Sequence, residues 1–322
     1  MLNISNAPHI RNMRPTAAVM ADVVIALLPV CGVGIYLFGW QAALTLALSV
    51  IACVVTELVY ELLMKKPVTV GDLSAVVTGL ILGVNLPASS PWYLPVLGGI
   101  FAILVVKMLF GGLGQNFMNP ALTARCFLMI SFAGQMTRFT QPFTGTDLVS
   151  GATPLSQVQG GEQADLLQML LGQHGGTIGE TCAVAIVIGF VYLLVRRVIS
   201  PRIPLVMIGS TMAFIFLFQL CTDRAALAFS ANFLLGQLLG GGLLLGAVFM
   251  ATDYVTCPIT KGGQWIYAAL IGLLTALFRV FGSSAEGVSY AIIIANLTVP
   301  LIERITVPKP FGYQKKKEGK AV

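Results

Sequence analysis

Residues 17–38 read AAVMADVVIALLPVCGVGIYLF, 22 positions in which Asp22 is the one charge. A helix rises about 1.5 Å per residue, so a run of about 20 apolar residues crosses the roughly 30 Å hydrocarbon core of a bilayer. Working outward, Gln41–Met64, Leu73–Leu86, Tyr93–Phe110 and Ala121–Ala133 continue a first set of five apolar stretches. After a long polar segment come Ile178–Val195, Pro204–Cys221, Ala231–Met250, Trp265–Phe281 and Val288–Ile302. Composition agrees, with 57% hydrophobic residues, 10% charged residues and a mean hydropathy of +0.87. Soluble chains are about a quarter charged, and one this poor in charge could not cover its own surface. The expected fold is an all-α polytopic membrane protein of about ten transmembrane helices.

Two of the first five stretches are interrupted. Leu73–Leu86 closes at Asn85-Leu86-Pro87, and the fifth opens at Asn119-Pro120. The third stretch of the second set ends in Thr252-Asp253-Tyr254-Val255-Thr256-Cys257-Pro258, again a polar break closed by proline. Five spans per set place the halves in opposite orientations, so the pattern predicts two inverted five-helix repeats with broken third helices. The expected divisions are a tail plus first repeat at 1–133, a loop at 134–177, a second repeat at 178–303 and a basic tail at 304–322.

Orientation follows from the basic residues, which favour the cytoplasmic side. Arg11, Arg14, Lys65, Lys66, Arg196, Arg197, Arg202, Lys261 and the tail from Arg304 to Lys320 fall on one side, leaving Arg138, Arg224 and Arg279 opposite. Both termini are therefore expected in the cytoplasm and residues 134–177 outside. The first sixteen residues, with Asn3, Asn6, His9, Arg11 and Arg14, read as a short cytoplasmic tail rather than a cleavable signal peptide. The net charge of +6 is thus membrane anchoring, with no basic face for a nucleic acid. The six cysteines have neither metal-ligand nor disulfide spacing, and no metal site is expected. His9 and His174 fall outside the spans and are expected to be solvated.

The loop contains Asp147-Leu148-Val149-Ser150-Gly151-Ala152-Thr153. Read bare, it is a small-residue turn ending in a hydroxyl, the pattern of an ordinary capped loop. Gly151 and Ala152 leave Thr153 open to a bulky enzyme, and Pro154 biases Thr153 toward extended backbone.

The string resembles the Asp-x-x-(Ser/Thr)-Gly-Ala-Thr flavinylation motif, in which a flavin transferase esterifies FMN to the final Thr. GQNFMNPALTAR at 114–125, HGGTIGETCA at 174–183, FMATDYVTCP at 249–258 and GSSAEGVSYAIIIANLTVPLIER at 282–304 also resemble the RnfD/NqrB family of membrane flavoproteins. The likeness covers Arg14 to Arg304 with its motifs in order, and the short N-terminus places it nearer the D branch, that of the Rnf complex. The resemblance implies FMN on Thr153, with Asp147, Ser150, Gly151 and Ala152 read by the transferase. It also implies a non-covalent riboflavin among the helices, partner membrane and soluble subunits, a bacterial cytoplasmic membrane, and ferredoxin–NAD electron transfer coupled to Na⁺ or H⁺ movement.

Ionisable residues inside spans are costly and are functional candidates. These are Asp22, Glu57 and Glu61 (four apart on one helical face), Asp253 in the second break, Glu286 at the mouth of the last span, and Arg125 as internal counter-charge. Glu61 lies near Lys65 and could equally form an interfacial ion pair, whereas Asp253, between Thr252 and Thr256, favours an ion or flavin-site role. GGLGQN at 111–116 follows a membrane span rather than a strand, so it and Gly240-Gly241-Gly242 read as small-residue packing. A solute channel or secondary transporter of inverted-repeat type is the rival reading, and a structural scaffold a third; neither needs the flavinylation string.

Overall fold

The computed structural model describes residues 15–143, 153–222, 225–282 and 287–308. In chain order the first part forms α1 (Thr16–Phe38), α2 (Trp40–Leu63), α3 (Ser74–Val84), α4 (Tyr93–Met108) and α5 (Pro120–Ser131). Two short helices follow, α6 (Pro154–Gly160) and α7 (Leu166–Leu171). The second part forms α8 (Ala183–Val195), α9 (Arg202–Leu220), α10 (Ala231–Leu239), α11 (Leu243–Met250), α12 (Lys261–Phe281) and α13 (Val288–Thr306).

Five of these helices, α1, α2, α9, α12 and α13, are long and apolar enough to cross a membrane. The pair α10 and α11 makes a sixth candidate, bent by 52°. The 23 residues of α1 extend about 34 Å, whereas the 11 of α3 reach only about 16 Å. Large apolar side chains such as Leu28, Ile51, Leu63, Ile130, Val195 and Leu205 point outward, where lipid solvates them. The molecule is an all-helical, multi-pass membrane protein.

In lipid, helices gain little from burying apolar surface against one another, so close backbone approach through small residues matters more. A Cβ added at Gly79 of α3 would lie 2.6 Å from Val50 Cα of α2. At the same contact Ser49 Oγ donates to the Gly79 carbonyl at 2.8 Å. Gly272 of α12 meets Ser210 and Thr211 of α9 with no room for a methyl group.

The breaks have identifiable causes, and the glycines of 111–114 differ from expectation. Gly240-Gly241-Gly242 is a packing surface, as expected, with Leu155 and Met169 against it, and it is also the bend: Gly241 and Gly242 take φ of +67° and +64°, where a Cβ is strained. Gly111, Gly112 and Gly114 also have positive φ and turn the chain after α4. The turns of Thr252–Pro258 are a second interruption, after α11.

The end of α3 is capped from a distance. Ile178 N donates to Leu86 O at 3.1 Å and Gly179 N to Val84 O at 2.7 Å. These bonds satisfy carbonyls that an early helix end would otherwise leave without partners. Folding back to make them buries His174, contrary to expectation, with Nδ1 3.2 Å from the Gly175 carbonyl. His9, Arg11, Arg14, Arg224 and the tail from Lys309 lie outside the described residues.

Candidate functional site

Thr153 sits at the start of α6, with φ −68° and ψ 147°, the extended backbone that Pro154 imposes on it. It is the helix N-cap: its Oγ1 accepts a long, 3.4 Å bond from Ser156 N, while Ser156 Oγ donates to Thr153 O at 2.7 Å. The bare reading of a capped loop is therefore correct as geometry. The side chain is partly exposed, and its oxygen serves only as a weak acceptor, so esterification would cost little structure. Leu155 and Val158 bury the other face of α6, with Val158 against Gly236 of α10. Asp147, Ser150, Gly151 and Ala152 lie outside the described residues, as does Glu286.

Arg279 of α12, expected to face the outer aqueous side, is buried. Its guanidinium donates to Gly240 O at 2.8 Å, to Gly241 O at 3.2 Å and to Gln237 O. An arginine here binds the carbonyls that the bend releases, a requirement at membrane depth. Gln159 of α6 donates to the Arg279 carbonyl at 3.3 Å, tying the Thr153-bearing helix to the bend. Nothing in the sequence paired Arg279 with the Gly run 39 residues upstream.

A second cluster forms where the interruptions meet. Asn119 caps α5, accepting from Ala121 N and Leu122 N, and donates to Met250 O at 3.3 Å. Asn85, at the end of α3, donates to Ile81 O at 2.6 Å and accepts from Arg125 at 3.1 Å. Arg125 also donates to Ser289 Oγ of α13 at 2.7 Å, so it clamps the two parts together. Between them lies a cleft walled by Val23, Ile81, Val248 and Phe249, with Asn116, Asn119, Thr252 and Asp253 on its lining.

Asp253 is half-buried at this cleft and accepts from Val255 N at 3.4 Å and Thr256 Oγ1 at 3.1 Å, a capping turn. Asp22 is buried on α1 and pairs with Arg196 Nε at 3.1 Å, with Tyr192 OH donating at 3.0 Å. Glu61 does not pair with Lys65 among the described residues; it is buried and accepts from Thr69 N at 3.1 Å and from Thr69 Oγ1.

Glu57 and Glu61 also separate in role. Glu57, 1% exposed, binds Lys107 Nζ through both carboxylate oxygens at 2.8 Å, and Lys107 also donates to Ser74 Oγ at 2.6 Å. Lys107 is the buried charge that sequence patterning did not single out: it sits in an apolar run and belongs to no family-like string. Its position inside a span was the available signal. It lies in the π-helical end of α4, Phe101–Met108, a widened turn of a kind frequent at functional sites. Lys107 also lines the cleft. Among the described residues no cluster of His, Cys, Asp and Glu could hold a metal ion.

Interrupted spans, bent helix pairs and a buried carboxylate–ammonium pair define a class of multi-pass helical membrane proteins with polar sites inside their spans. Within that class the chain belongs to the NQR2, RnfD, RnfE family, whose model matches residues 3–312. It is 45% identical to the D-type subunit of the Na⁺-translocating ferredoxin:NAD⁺ oxidoreductase complex of Acetobacterium woodii, over 99% of this chain and 98% of that one. It is 38% identical to the D-type subunit of the proton-translocating ferredoxin:NAD⁺ oxidoreductase complex of Clostridium ljungdahlii, over 97% and 96%. The corresponding subunit of the ion-translocating oxidoreductase complex of Actinobacillus succinogenes is 33% identical, over 97% and 98%.

Proposed function

We propose that this chain is the D-type subunit of an Rnf complex, the membrane part of a machine that couples ferredoxin–NAD⁺ electron transfer to Na⁺ or H⁺ movement. Near-full-length similarity to subunits of that description carries the reading. The finer architecture is ten membrane segments in two inverted five-helix repeats, with both termini cytoplasmic. It is supported by short apolar helices at the expected positions, and the orientation rests on the preference of basic loop residues for the cytoplasmic side.

Thr153 is the residue that would hold FMN, as a phosphate ester after maturation by a flavin transferase. Its partly exposed hydroxyl on an anchored helix supports this, and Val158 and Gln159 would fix where the group sits. Bound there, an isoalloxazine supplies one- and two-electron chemistry. The non-covalent riboflavin implied by the resemblance is assigned to the cleft, whose apolar walls and convergent Asn116, Asn119 and Thr252 suit a flat heterocycle. For the ion path we retain Glu57 and Asp253, which lie at or beside that cleft. Asp22, Glu61 and Arg125 have partners that explain them as structural ties.

The test is Thr153→Ala in the complex coexpressed with its transferase. Flavin fluorescence of the denatured band and the FMN mass increment on the 153-containing peptide should vanish while the subunit still inserts. A Thr153→Ala band that stays fluorescent, or a wild-type band without flavin, defeats the assignment.

A further inference from the structure

Lys107 has no role in the reading above, yet it is among the costliest side chains in the molecule to bury. All three of its N–H donors are used, two on Glu57 and one on Ser74. Ser74 does not end the chain of bonds. Its hydroxyl donates onward to Asp72 Oδ1 at 2.6 Å, and Asp72 is partly exposed at the turn Val70–Asp72 before α3. Asp72 Oδ1 also accepts from Ser74 N at 2.8 Å, which holds the carboxylate in place.

The result is a continuous line: Glu57 carboxylate, Lys107 ammonium, Ser74 hydroxyl, Asp72 carboxylate. Each hydrogen beyond Glu57 points the same way, from the buried ammonium toward the aqueous edge. At the inner end Lys107 and Ser74 both line the cleft that Asp253 also lines, and toward the aqueous edge only Asp72 lies beyond it. A purely structural ion pair needs no third partner leading out, and a helix cap needs no ammonium behind it.

We propose that Asp72, Ser74, Lys107 and Glu57 form a proton relay between the cleft and the membrane face that carries Lys65 and Lys66. In the outward step Lys107 gives an ammonium proton to Ser74 Oγ as the Ser74 proton passes to the Asp72 carboxylate. Lys107 becomes a neutral amine and Asp72 a carboxylic acid, which then loses its proton to water. The buried Glu57 carboxylate, now without a cation, draws a replacement proton onto Lys107 from water or an acidic group in the cleft. Net charge in the interior is restored, and one proton has moved. The inward step is the reverse after the Ser74 hydroxyl rotates. Glu57 acts here by holding the charge of Lys107, so it is a positioning residue.

This inference rests on the ion-transport reading, and the assay separates the two. The assembled complex in sealed vesicles is driven by reduced ferredoxin and NAD⁺, with proton movement followed by a pH-sensitive dye and Na⁺ movement by isotope. Ser74→Ala should cut proton movement about tenfold or more, since a positioned proton carrier is worth on the order of 10²-fold. The covalent flavin content should be unchanged, and Ser74→Thr, which keeps the hydroxyl, should restore movement. Asp72→Asn should slow it similarly and be rescued by added formate or azide, small acids that do not repair a structural defect. Wild-type-like proton movement in Ser74→Ala, or failure of formate and azide to rescue Asp72→Asn, overturns the relay. So does a wild-type complex that moves Na⁺ without protons. A wild-type complex that transfers electrons and moves neither ion removes the ion-transport reading itself.

Discussion

Replacing Lys107 with methionine isolates the energetics of the buried pair. Glu57 and Lys107 are 1% and 2% exposed and joined at 2.8 Å, so the variant leaves a buried carboxylate without its cation. Removing one partner of such a pair costs about 3–5 kcal/mol, whereas replacing both with apolar side chains of similar volume is about neutral or stabilising. At roughly 2 °C per kcal/mol for a chain of this size, Lys107→Met should lower the unfolding midpoint in detergent by about 6–10 °C. Glu57→Leu combined with Lys107→Met should recover most of that loss, because no charge is left unpaired. The assay is a thermal melt of purified subunit, followed by intrinsic fluorescence, for wild type, both singles and the double. A double variant whose loss equals the sum of the singles would refute the reasoning, since the charges would then act independently. The recovered double variant should still fail to move protons, which divides stability from transport.

Arg279→Met leaves the carbonyls of Gln237, Gly240 and Gly241 buried without their donor and should cost about 1–3 kcal/mol for each group left unsatisfied, read as a lowered melting midpoint. Asp253→Asn keeps an oxygen to accept from Val255 and Thr256, so the complex should assemble with its full flavin content while ion movement falls; normal coupling would take Asp253 off the path. A cysteine at exposed Ser156 should react with an impermeant maleimide only from the side opposite Lys65 and Lys66, and labelling from the Lys65 side would invert the topology. Burial holds the His174 imidazole below its ordinary value of 6.5, so the folded protein binds fewer protons than the unfolded one just below that pH. Melting midpoints should therefore fall as pH drops through 6.5, and His174→Gln should flatten that slope.

The membrane class and the apolar segments were legible in the sequence because hydrocarbon imposes a one-dimensional requirement: a run either has about 20 apolar residues or it does not. Asn119-Pro120 as a helix start and Thr153 as an extended residue before proline were equally local, since cap and proline chemistry act over two or three positions. The buried carboxylates were also visible as candidates, but their partners were not. Glu57 with Lys107, Asp22 with Arg196, and Arg279 with the 240–242 bend join residues 50, 174 and about 40 positions apart. Periodicity places a side chain on a face of its own helix and says nothing about which helix will lie against it. His174 and the glycines of 111–114 misled for the same reason. A polar motif reads as solvent-exposed until a distant helix end, here that of α3, needs its N–H groups, and a glycine run reads as packing until the φ angles are known. Tertiary structure decided those matters, because unpaired charges and open carbonyls at membrane depth must find partners wherever in the chain they occur.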